Sequence, residues 1–389
     1  MSAGTILRDG ILLLALAPFA YYLSAILAAF RFYRNTPRGK GDSPPVSILK
    51  PIRGLDRETY ENYASFCQQD YPEFEILFCV TDENDAAIPV IEKLIRDFPQ
   101  RPIRLLAGSE PLGVSDKVNK LCRMVREARH EILLVSDSDV RVQPGFLRAV
   151  VAPFENPQVG GVTCLYQGLT DGSLSSQIEA LGNSADFAPG VLVAWLLGEL
   201  DFMLGAVMVT TKKQLTGIGG FEALVNHLSD DYELGNRIAA NGHRVELSRH
   251  AVSVVYPRQS FADAFRHQLR WNLTIRCSRP GGHLGLLFTQ GLPWAILAAA
   301  IAPAAKVGAA YMAGYLILRM AMAWRAGVSG MHDGLLRRKI WMLPLRDAFA
   351  FAVWALSFFP QRIHWRGQEF YIRDKRLVPV AARERQHNS

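Results

Sequence analysis

Four short segments of this 389-residue chain carry carboxylates or cations at spacings that could do chemistry. The first two, TDEND at 81–85 and SDSD at 136–139, each follow a predicted buried strand. Carboxylates at a strand end can accept hydrogen bonds from a ribose or a base. Two carboxylates one residue apart can also share a hard divalent cation such as Mg²⁺ or Mn²⁺. A helix cap or a plain turn is the alternative explanation of both segments.

The other two segments lie on predicted helices. Asp230 and Asp231 open one helix, where a single carboxylate is an ordinary N-cap, so Asp231 is left as a candidate general base. The sequence HQLRW lies on the other helix and places His267, Arg270 and Trp271 on one face. Arg270 could bind a phosphate and Trp271 could stack on a sugar. An amphipathic helix at the membrane surface is the alternative interpretation.

A repeating pattern of strands and helices must position these segments. We predict strands at 46–52, 75–81, 103–107 and 132–136, and helices at 58–69, 86–98 and 116–129. This alternation predicts an α/β fold with a mainly parallel sheet and helices on both faces. Ligands of such sheets bind at the carboxyl ends of the strands, which is where the first two segments lie.

Composition and hydropathy indicate a membrane protein. With 49% hydrophobic and 20% charged residues the chain is not intrinsically disordered, and its five cysteines stand singly, which excludes a disulfide scaffold. Residues 11–30 carry no charge and are long enough to span a bilayer. Residues 284–324 predict a hairpin of two spans that turns near Lys306. We expect the apolar stretch 343–360 to lie in the interface or re-enter.

These observations predict five parts of the chain: a transmembrane anchor at 1–30, a basic linker at 31–45, a globular domain at 46–280, transmembrane or interfacial helices at 281–360, and a basic tail at 361–389. The net charge is +7. Four basic residues follow the first span, which predicts that the globular domain faces the cytoplasm; they are Arg31, Arg34, Arg38 and Lys40.

Within the globular domain we expect one segment to reach the membrane. The first half of residues 173–200 has a helical apolar face that we expect to pack on the domain's own sheet. Residues 191–197 are apolar nearly all round and too short to span. We expect them to dip into the cytoplasmic leaflet and to form part of a path for a lipid acceptor.

Taken in order, the segments resemble the cytoplasmic domain of inverting membrane glycosyltransferases. The resemblance is closest to the ceramide glucosyltransferase family (family 21-like), and within it to the bacterial hopanoid-biosynthesis branch. The family's opening strand matches VSILKPIRG at 46–54, and HQLRW matches its (Q/R)xxRW motif, with His267 in place of Gln or Arg. The remaining motif positions are Asp82 and Asp85, Gly113 with Lys117 and Asn119, Asp137, and Asp231.

The resemblance implies a GT-A nucleotide-sugar-binding domain that uses a UDP-sugar. It assigns general base catalysis to Asp231, and binding of Mg²⁺ or Mn²⁺ to Asp137 and Asp139. Contacts to the nucleotide sugar are assigned to Asp82, Asp85, Lys117, Asp137, Asp230, His267, Arg270 and Trp271.

The function that the resemblance implies first is transfer of N-acetylglucosamine to a hydroxyl of a hopanoid polyol of the bacteriohopanetetrol type. A ceramide glucosyltransferase that uses UDP-glucose is the alternative. A processive polysaccharide synthase and a non-catalytic membrane assembly protein are further alternatives. The expected partners are a UDP-sugar, a membrane lipid acceptor and the bilayer, with no nucleic acid. The expected location is the bacterial inner membrane, as a multi-pass protein with a cytoplasmic active site.

Overall fold

The structure is a computed structural model that describes residues 2–34, 43–170, 172–198, 200–227 and 229–359, and three short strands after residue 362. Arg38 and Lys40 of the predicted linker lie outside the described residues, as does much of the predicted basic tail. The chain forms two compact units. Unit 1 comprises Met1–Asn35, Thr170–Gly198 and Arg258–Arg362; unit 2 comprises Thr36–Leu169, Glu199–Pro257 and Ile363–Ser389.

The regular elements are numbered in chain order. The strands are β1 (Val46–Pro51), β2 (Phe74–Val80), β3 (Ile103–Ala107), β4 (Ile132–Ser136), β5 (Val140–Arg141), β6 (Val159–Thr170), β7 (Val207–Thr211), β8 (Arg244–Tyr256), β9 (Ile363–Trp365), β10 (Gln368–Arg373) and β11 (Arg376–Pro379). The helices are α1 (Ala3–Leu14), α2 (Ala17–Arg34), α3 (Thr59–Cys67), α4 (Ile88–Asp97), α5 (Asp116–Glu127), α6 (Phe146–Val151), α7 (Leu174–Gly182), α8 (Ala188–Leu197), α9 (Lys212–Gly217), α10 (Asp230–Ala240), α11 (Phe261–Ser278), α12 (Pro280–Gly285), α13 (Gly291–Ile301), α14 (Ala305–Ala323), α15 (Gly334–Lys339) and α16 (Leu343–Leu356).

The large sheet of unit 2 has the strand order β3-β2-β1-β4-β7-β6-β8-β5. Strands β1 to β4 are the four predicted from the alternating pattern, and they pair in parallel, with β1 between β2 and β4. Strand β7 then pairs antiparallel to β4, and β6 antiparallel to β7. The α/β fold is therefore confirmed. The sheet is mixed, because the strand–helix alternation that enforces parallel pairing ends at β4.

One side of this sheet is covered by α5. The helix begins at Ser115, whose side chain accepts a hydrogen bond from the Val118 N–H. Its apolar residues Leu121 and Met124 are fully buried in the same core as Leu49 and Val135 of the central strands. The position of α5 is therefore fixed by burial on one face, while its first turn carries the polar residues of the site described below.

Unit 1 contains the membrane helices. In the described residues, three helices are long and apolar enough to cross a bilayer, and we call them the candidate spans: Ala3–Arg34, Leu174–Leu197 and Ala305–Gly330. The chain turns just before Lys306, as predicted, but the first arm of that hairpin is bent by 53° between Pro280–Thr289 and Gly291–Ile301. Helix α16 has 14 residues, which is shorter than a span. The protein is therefore a membrane protein with apolar helices at both ends of its chain.

The helices of unit 1 are joined by buried ion pairs. Arg319, only 3% exposed, lies 2.7 Å from Asp347 and also contacts Asp186. Arg346 lies 2.9 Å from Asp186, so the cluster connects three separate helical segments. Charges in a membrane segment are tolerated when they pair with one another, as they do here.

The structure packs residues 174–182 differently from our expectation. Ile178 and Leu181 are buried in one cluster with Leu336, Met342 and other residues of unit 1. The period of an apolar helix face indicates which residues are buried, but not which partner covers them. The segments 170–198 and 258–280, which we predicted to belong to the globular domain, are both part of unit 1.

Candidate active site

A buried lysine, Lys50, is hydrogen-bonded to the residues at the end of β4. Lys50 of β1 is fully buried, and its Nζ donates to the Asp137 carbonyl at 2.9 Å and to Ser136 Oγ at 3.3 Å. Burial lowers the pKa of Lys50 to about 7, against the opposing effect of the Asp137 and Asp139 carboxylates. Lys50 also lies 3.8 Å from the ring centre of Phe66. The backbone that presents the SDSD segment is therefore fixed by hydrogen bonds from within the sheet.

A second lysine, Lys117, forms ion pairs with two carboxylates near the end of β4. Lys117 Nζ lies 2.9 Å from Asp137 Oδ1 and 3.2 Å from Asp230 Oδ2. Burial alone would lower the pKa of Lys117, but the carboxylates of Asp137, Asp230 and Asp231 outweigh it and raise this pKa above its usual value. Lys117 therefore stays charged and holds the strand end and the start of α10 together.

The loop before α5 is tied so that Lys117 faces the carboxylates. Asn119 accepts from the Gly113 N–H at 3.0 Å and donates to the Gly113 carbonyl at 2.9 Å. A Cβ on Gly113 would come within 2.5 Å of Val225, so this position requires glycine. The residues of the predicted lysine–asparagine segment thus have different roles. Asn119 and Gly113 fix the conformation of the loop, and Lys117 makes the ionic contacts.

Asp231 is a buried carboxylate whose pKa suits it to take a proton. Its Oδ1 accepts from the Tyr232 N–H at 2.8 Å. Burial, followed by the charge of Asp230, raises the pKa of Asp231 to about 6, while Lys117 opposes this shift. A carboxylate with a pKa near 6 is ionised at neutral pH and still basic enough to accept a proton from a hydroxyl in a transition state.

Gly205 brings Asp231 and Asp137 to one place. A Cβ built on Gly205 would lie 3.1 Å from Asp231 Oδ2 and 3.6 Å from Asp137 Oδ2. Helix α10 reaches this position because Gly235 has no side chain: a Cβ there would lie 2.5 Å from the backbone nitrogen of Met203. The carboxylates of Asp231 and Asp137 therefore both lie close to the Gly205 backbone, where the missing side chain leaves space between them.

The two aspartates of the first segment, Asp82 and Asp85, also have different roles. Both carboxylate oxygens of Asp85 accept from the Gly54 N–H, at 2.9 and 3.0 Å, and Oδ1 also accepts from the Ala87 N–H. Gly54 has a φ of +67°, a conformation that favours glycine. Asp82 is exposed and accepts from the Asn84 N–H at 2.8 Å. Asp85 thus shapes the loop after β1, and Asp82 is accessible to a ligand.

The residues present fit a divalent cation that is bound together with a diphosphate. Asp137 and Asp139 offer carboxylate oxygens, and burial together with Asp137 raises the pKa of Asp139 to about 7. In the described residues, no three His, Cys, Asp or Glu side chains group closely enough to hold a metal alone. Mg²⁺ commonly binds through one or two carboxylates, waters and substrate phosphates, so this pair matches that donor set.

The HQLRW segment lies on α11 of unit 1. The rings of His267 and Trp271 are 4.8 Å apart, which confirms that they share a helix face. His267 Nδ1 contacts the fully buried Glu179, and Gln268 Nε2 donates to the same carboxylate at 3.0 Å. His267 is thus held by a carboxylate of its own unit. Arg270 has interactions of its own and lies half-buried on the same helix.

Sequence reasoning missed three residues of these arrangements. Lys50 reads as part of an apolar strand, although a lone lysine inside VSILKPI is itself a signal of a buried cation. Gly205 has no motif around it. Glu179 lies between Ile178 and Ala180, and a carboxylate beside the apolar face of a helix could have indicated a buried partner.

The sequence comparisons identify the family of the chain. Residues 10–378 match the family described as glycosyl transferase family 21. Over 250 residues the chain is 31% identical to ceramide glucosyltransferase 1 of Caenorhabditis elegans, which covers 62% of this chain and 53% of that protein. Over 151 residues it is 35% identical to the ceramide glucosyltransferase of Komagataella phaffii, covering 36% and 30%. The chain thus spans about half, or less, of the length of these curated relatives.

A solved structure shares the fold. The mannosyltransferase PcManGT from Pyrobaculum calidifontis, solved in complex with GDP-Man and Mn²⁺, superposes with a TM-score of 0.53 at 16% identity. The alignment covers 90% of this chain and 99% of that one. The likeness establishes the GT-A fold for the chain.

Proposed function

Since the chain belongs to glycosyl transferase family 21, we propose that it transfers glucose from UDP-glucose to the hydroxyl of a ceramide-type lipid. The relatives in Caenorhabditis elegans and Komagataella phaffii support this choice, because both are ceramide glucosyltransferases. They favour the ceramide alternative over N-acetylglucosamine transfer to a hopanoid polyol, the function that the resemblance implies first.

The observation that carries the proposal is the convergence of Asp231 and Asp137 at Gly205. In the proposed reaction Asp231 removes the proton of the acceptor hydroxyl. The oxygen then attacks the anomeric carbon while the bond to the UDP oxygen breaks on the opposite face. Attack from the face opposite the leaving group inverts the configuration at the anomeric carbon, and Asp231 ends protonated.

The leaving diphosphate gains negative charge as the bond breaks. Asp137 and Asp139 would hold a divalent cation, Mg²⁺ or Mn²⁺, that neutralises this charge when bound. Lys117 supplies a second positive charge at Asp137, and Asp230 fixes Lys117 by accepting its other contact. The residues of this chain therefore balance charge on the donor while Asp231 acts on the acceptor.

The remaining residues would bind and orient the donor. Asp82 would accept hydrogen bonds from the nucleoside, and Asp85 would act by holding Gly54 in place. The assignment of His267, Arg270 and Trp271 to the diphosphate and the acceptor rests on the family motif. We propose that the Glu179 contact makes His267 an orienting residue of that motif.

We also propose a location in the bacterial inner membrane with unit 2 in the cytoplasm. Arg31 and Arg34 at the end of the first candidate span support this orientation. A cysteine placed at Arg38 should resist an impermeant thiol reagent in intact cells, and labelling there would reverse the topology.

The proposed function is tested by assaying the full chain in detergent with UDP-glucose, UDP-N-acetylglucosamine and UDP-galactose, each against ceramide and a hopanoid polyol. We expect a single β-linked glucose on ceramide, and no product from the Asp231→Asn variant. A longer sugar chain would indicate a processive synthase, and N-acetylglucosaminyl hopanoid would restore the first expectation. No turnover with any pair, with the donor still bound, would overturn the proposed activity.

A further inference from the structure

Unit 1 contains a groove beside the C-terminal end of the candidate span Ala3–Arg34. It is lined by Leu27, Phe30, Arg31, Arg34 and Trp195 and encloses about 600 Å³. Trp195 belongs to residues 191–197, which the sequence predicts to lie near the acceptor path, whereas the other four lining residues have no role in the proposed transfer reaction. Arginines at one end and apolar side chains along the wall give the groove an amphipathic lining.

The groove is built where helices pack closely. The ring centres of Trp195 and Phe32 are 5.1 Å apart at an angle of 76°, which seats the candidate span Leu174–Leu197 against α2. A Cβ on Gly330 would lie 2.2 Å from Tyr33, so a glycine is needed where the third candidate span meets α2. The C-terminal ends of the three candidate spans therefore meet here.

Positive charge accumulates around one aromatic ring of the groove. The Cζ atom of Arg34 lies 5.8 Å from the centre of the Phe30 ring, and that of Arg325 lies 5.5 Å from the same centre. Arg31 also lines the groove and supplies a third guanidinium nearby. In the described part of the chain, none of these three arginines forms an ion pair with a carboxylate. An anion between them would offset their mutual repulsion.

We propose that this groove binds one anionic phospholipid, with its phosphate on Arg31 and Arg34, beside Arg325 at the Phe30 ring, and with an acyl chain along Leu27 and Phe30. One guanidinium group can donate two parallel hydrogen bonds to two oxygens of a phosphate. Leu27 and Phe30 are 43% and 48% exposed, so the apolar surface that an acyl chain would cover is available. A ceramide or hopanoid acceptor carries no net charge and does not require three arginines. The groove therefore fits a second lipid, not the acceptor.

A simpler role for Arg31 and Arg34 is to anchor the span at the membrane surface and to offset the dipole of α2. That role needs neither Arg325 nor a bound lipid at fixed stoichiometry. The two explanations therefore differ in whether one lipid stays with the protein when the bilayer is removed.

The test is native mass spectrometry of the full chain in detergent, titrated with phosphatidylglycerol or with phosphatidylcholine of the same acyl chains. We expect one phosphatidylglycerol per chain, bound at least tenfold more tightly than phosphatidylcholine. The double variant Arg34→Gln, Arg325→Gln should lose this preference, and the Arg34→Lys, Arg325→Lys variant should keep part of it. Arg8→Gln is the matched control, since it removes one arginine charge from an exposed pair of the same unit.

Three results would overturn the proposal. Equal affinity for the two lipids would show that the arginines select no anion. Unchanged phosphatidylglycerol binding by the double glutamine variant would place the lipid elsewhere. Displacement of the lipid by millimolar glycerol phosphate or inorganic phosphate would show that the site takes a soluble phosphate and that the apolar wall contributes nothing. Sugar transfer, measured separately on ceramide, does not enter any of these readouts.

Discussion

Lys117 donates an ion-paired hydrogen bond to Asp137, with 2.9 Å between Nζ and Oδ1. The same ammonium lies 3.2 Å from Asp230, and its charge also lowers the pKa of the neighbouring Asp231. One cation thus influences both the carboxylate proposed to bind the metal and the carboxylate proposed to act as base. This relationship gives the chemistry of the site a measurable dependence on pH.

The Lys117→Met variant should move the acidic limb of the activity profile to higher pH. Asp231 must be ionised to accept a proton, so wild-type activity should fall as the pH drops through about 6. Removing Lys117 removes the charge that opposes the raised pKa, which should shift the limb upward by roughly one pH unit. The measurement is kcat against pH between 4.5 and 8.

The control for this experiment is Lys93→Met, which removes an exposed lysine of unit 2 from α4. Its profile should coincide with that of the wild type. A Lys117→Met limb at the wild-type position would mean that Asp231 is not the titrating base.

Asp231→Asn should abolish transfer while the Kd for UDP-glucose stays within several-fold of the wild type. A general base contributes about 10²–10⁴-fold to the chemical step and little to donor binding. The measurements are turnover and isothermal titration of the donor. Asp230→Asn should retain part of the activity, because that carboxylate is engaged with Lys117; the reverse ranking of the two variants would make Asp230 the base.

The sequence could predict the parallel half of the sheet and the positions of the candidate aspartates at its strand ends. Strands β3 and β4 have the predicted bounds, and the ends of β2 and β4 carry the predicted aspartates. These aspartates lie at the same edge of the sheet because the strands are parallel, so that their carboxyl ends meet there. Gly205 was beyond prediction, since it approaches Asp231 through the packing of α10 and not through any local pattern.

The antiparallel half of the sheet shows a second limit. Strand β7 pairs with β4 although 70 residues separate them, and no turn signal links the two. Likewise, the apolar face of α7 was recognised but assigned to the wrong partner, because hydropathy specifies burial without specifying the covering surface.

Gly205→Ala should lower kcat by about tenfold or more without unfolding the protein. The new methyl group would lie 3.1 Å from Asp231 Oδ2, which is closer than ordinary van der Waals contact, so the carboxylate must move. A small displacement of a catalytic group is costly to rate. Gly145→Ala is the matched control, because a Cβ there meets nothing within 4 Å. Equal activity of the two variants would show that the space at Gly205 is not used.

Metal removal should stop transfer. With excess EDTA we expect loss of turnover and recovery on addition of Mg²⁺ or Mn²⁺, since Asp137 and Asp139 offer only part of a coordination sphere. Asp139→Asn should weaken Mn²⁺ binding in the presence of UDP, measured by electron paramagnetic resonance, with an unchanged melting temperature. Full turnover in EDTA would remove the metal from the proposed reaction.

The last prediction concerns Glu179, the fully buried carboxylate that accepts hydrogen bonds from Gln259 and Gln268 and contacts His267. Glu179→Gln keeps the size of the side chain but removes the charge. The new amide NH₂ group would then face the NH₂ groups of Gln259 and Gln268, and a donor cannot accept their hydrogen bonds. A hydrogen bond to a charged group contributes about 1.5–3 kcal/mol, and we expect a loss of that order in the free energy of unfolding. The thermal melt in detergent measures it, against Asp9→Asn, which removes an exposed carboxylate from the same unit. If Glu179 also orients His267, the KM for UDP-glucose should rise at temperatures well below the melt. An unchanged KM with a lowered melting temperature would limit Glu179 to holding α11 in unit 1.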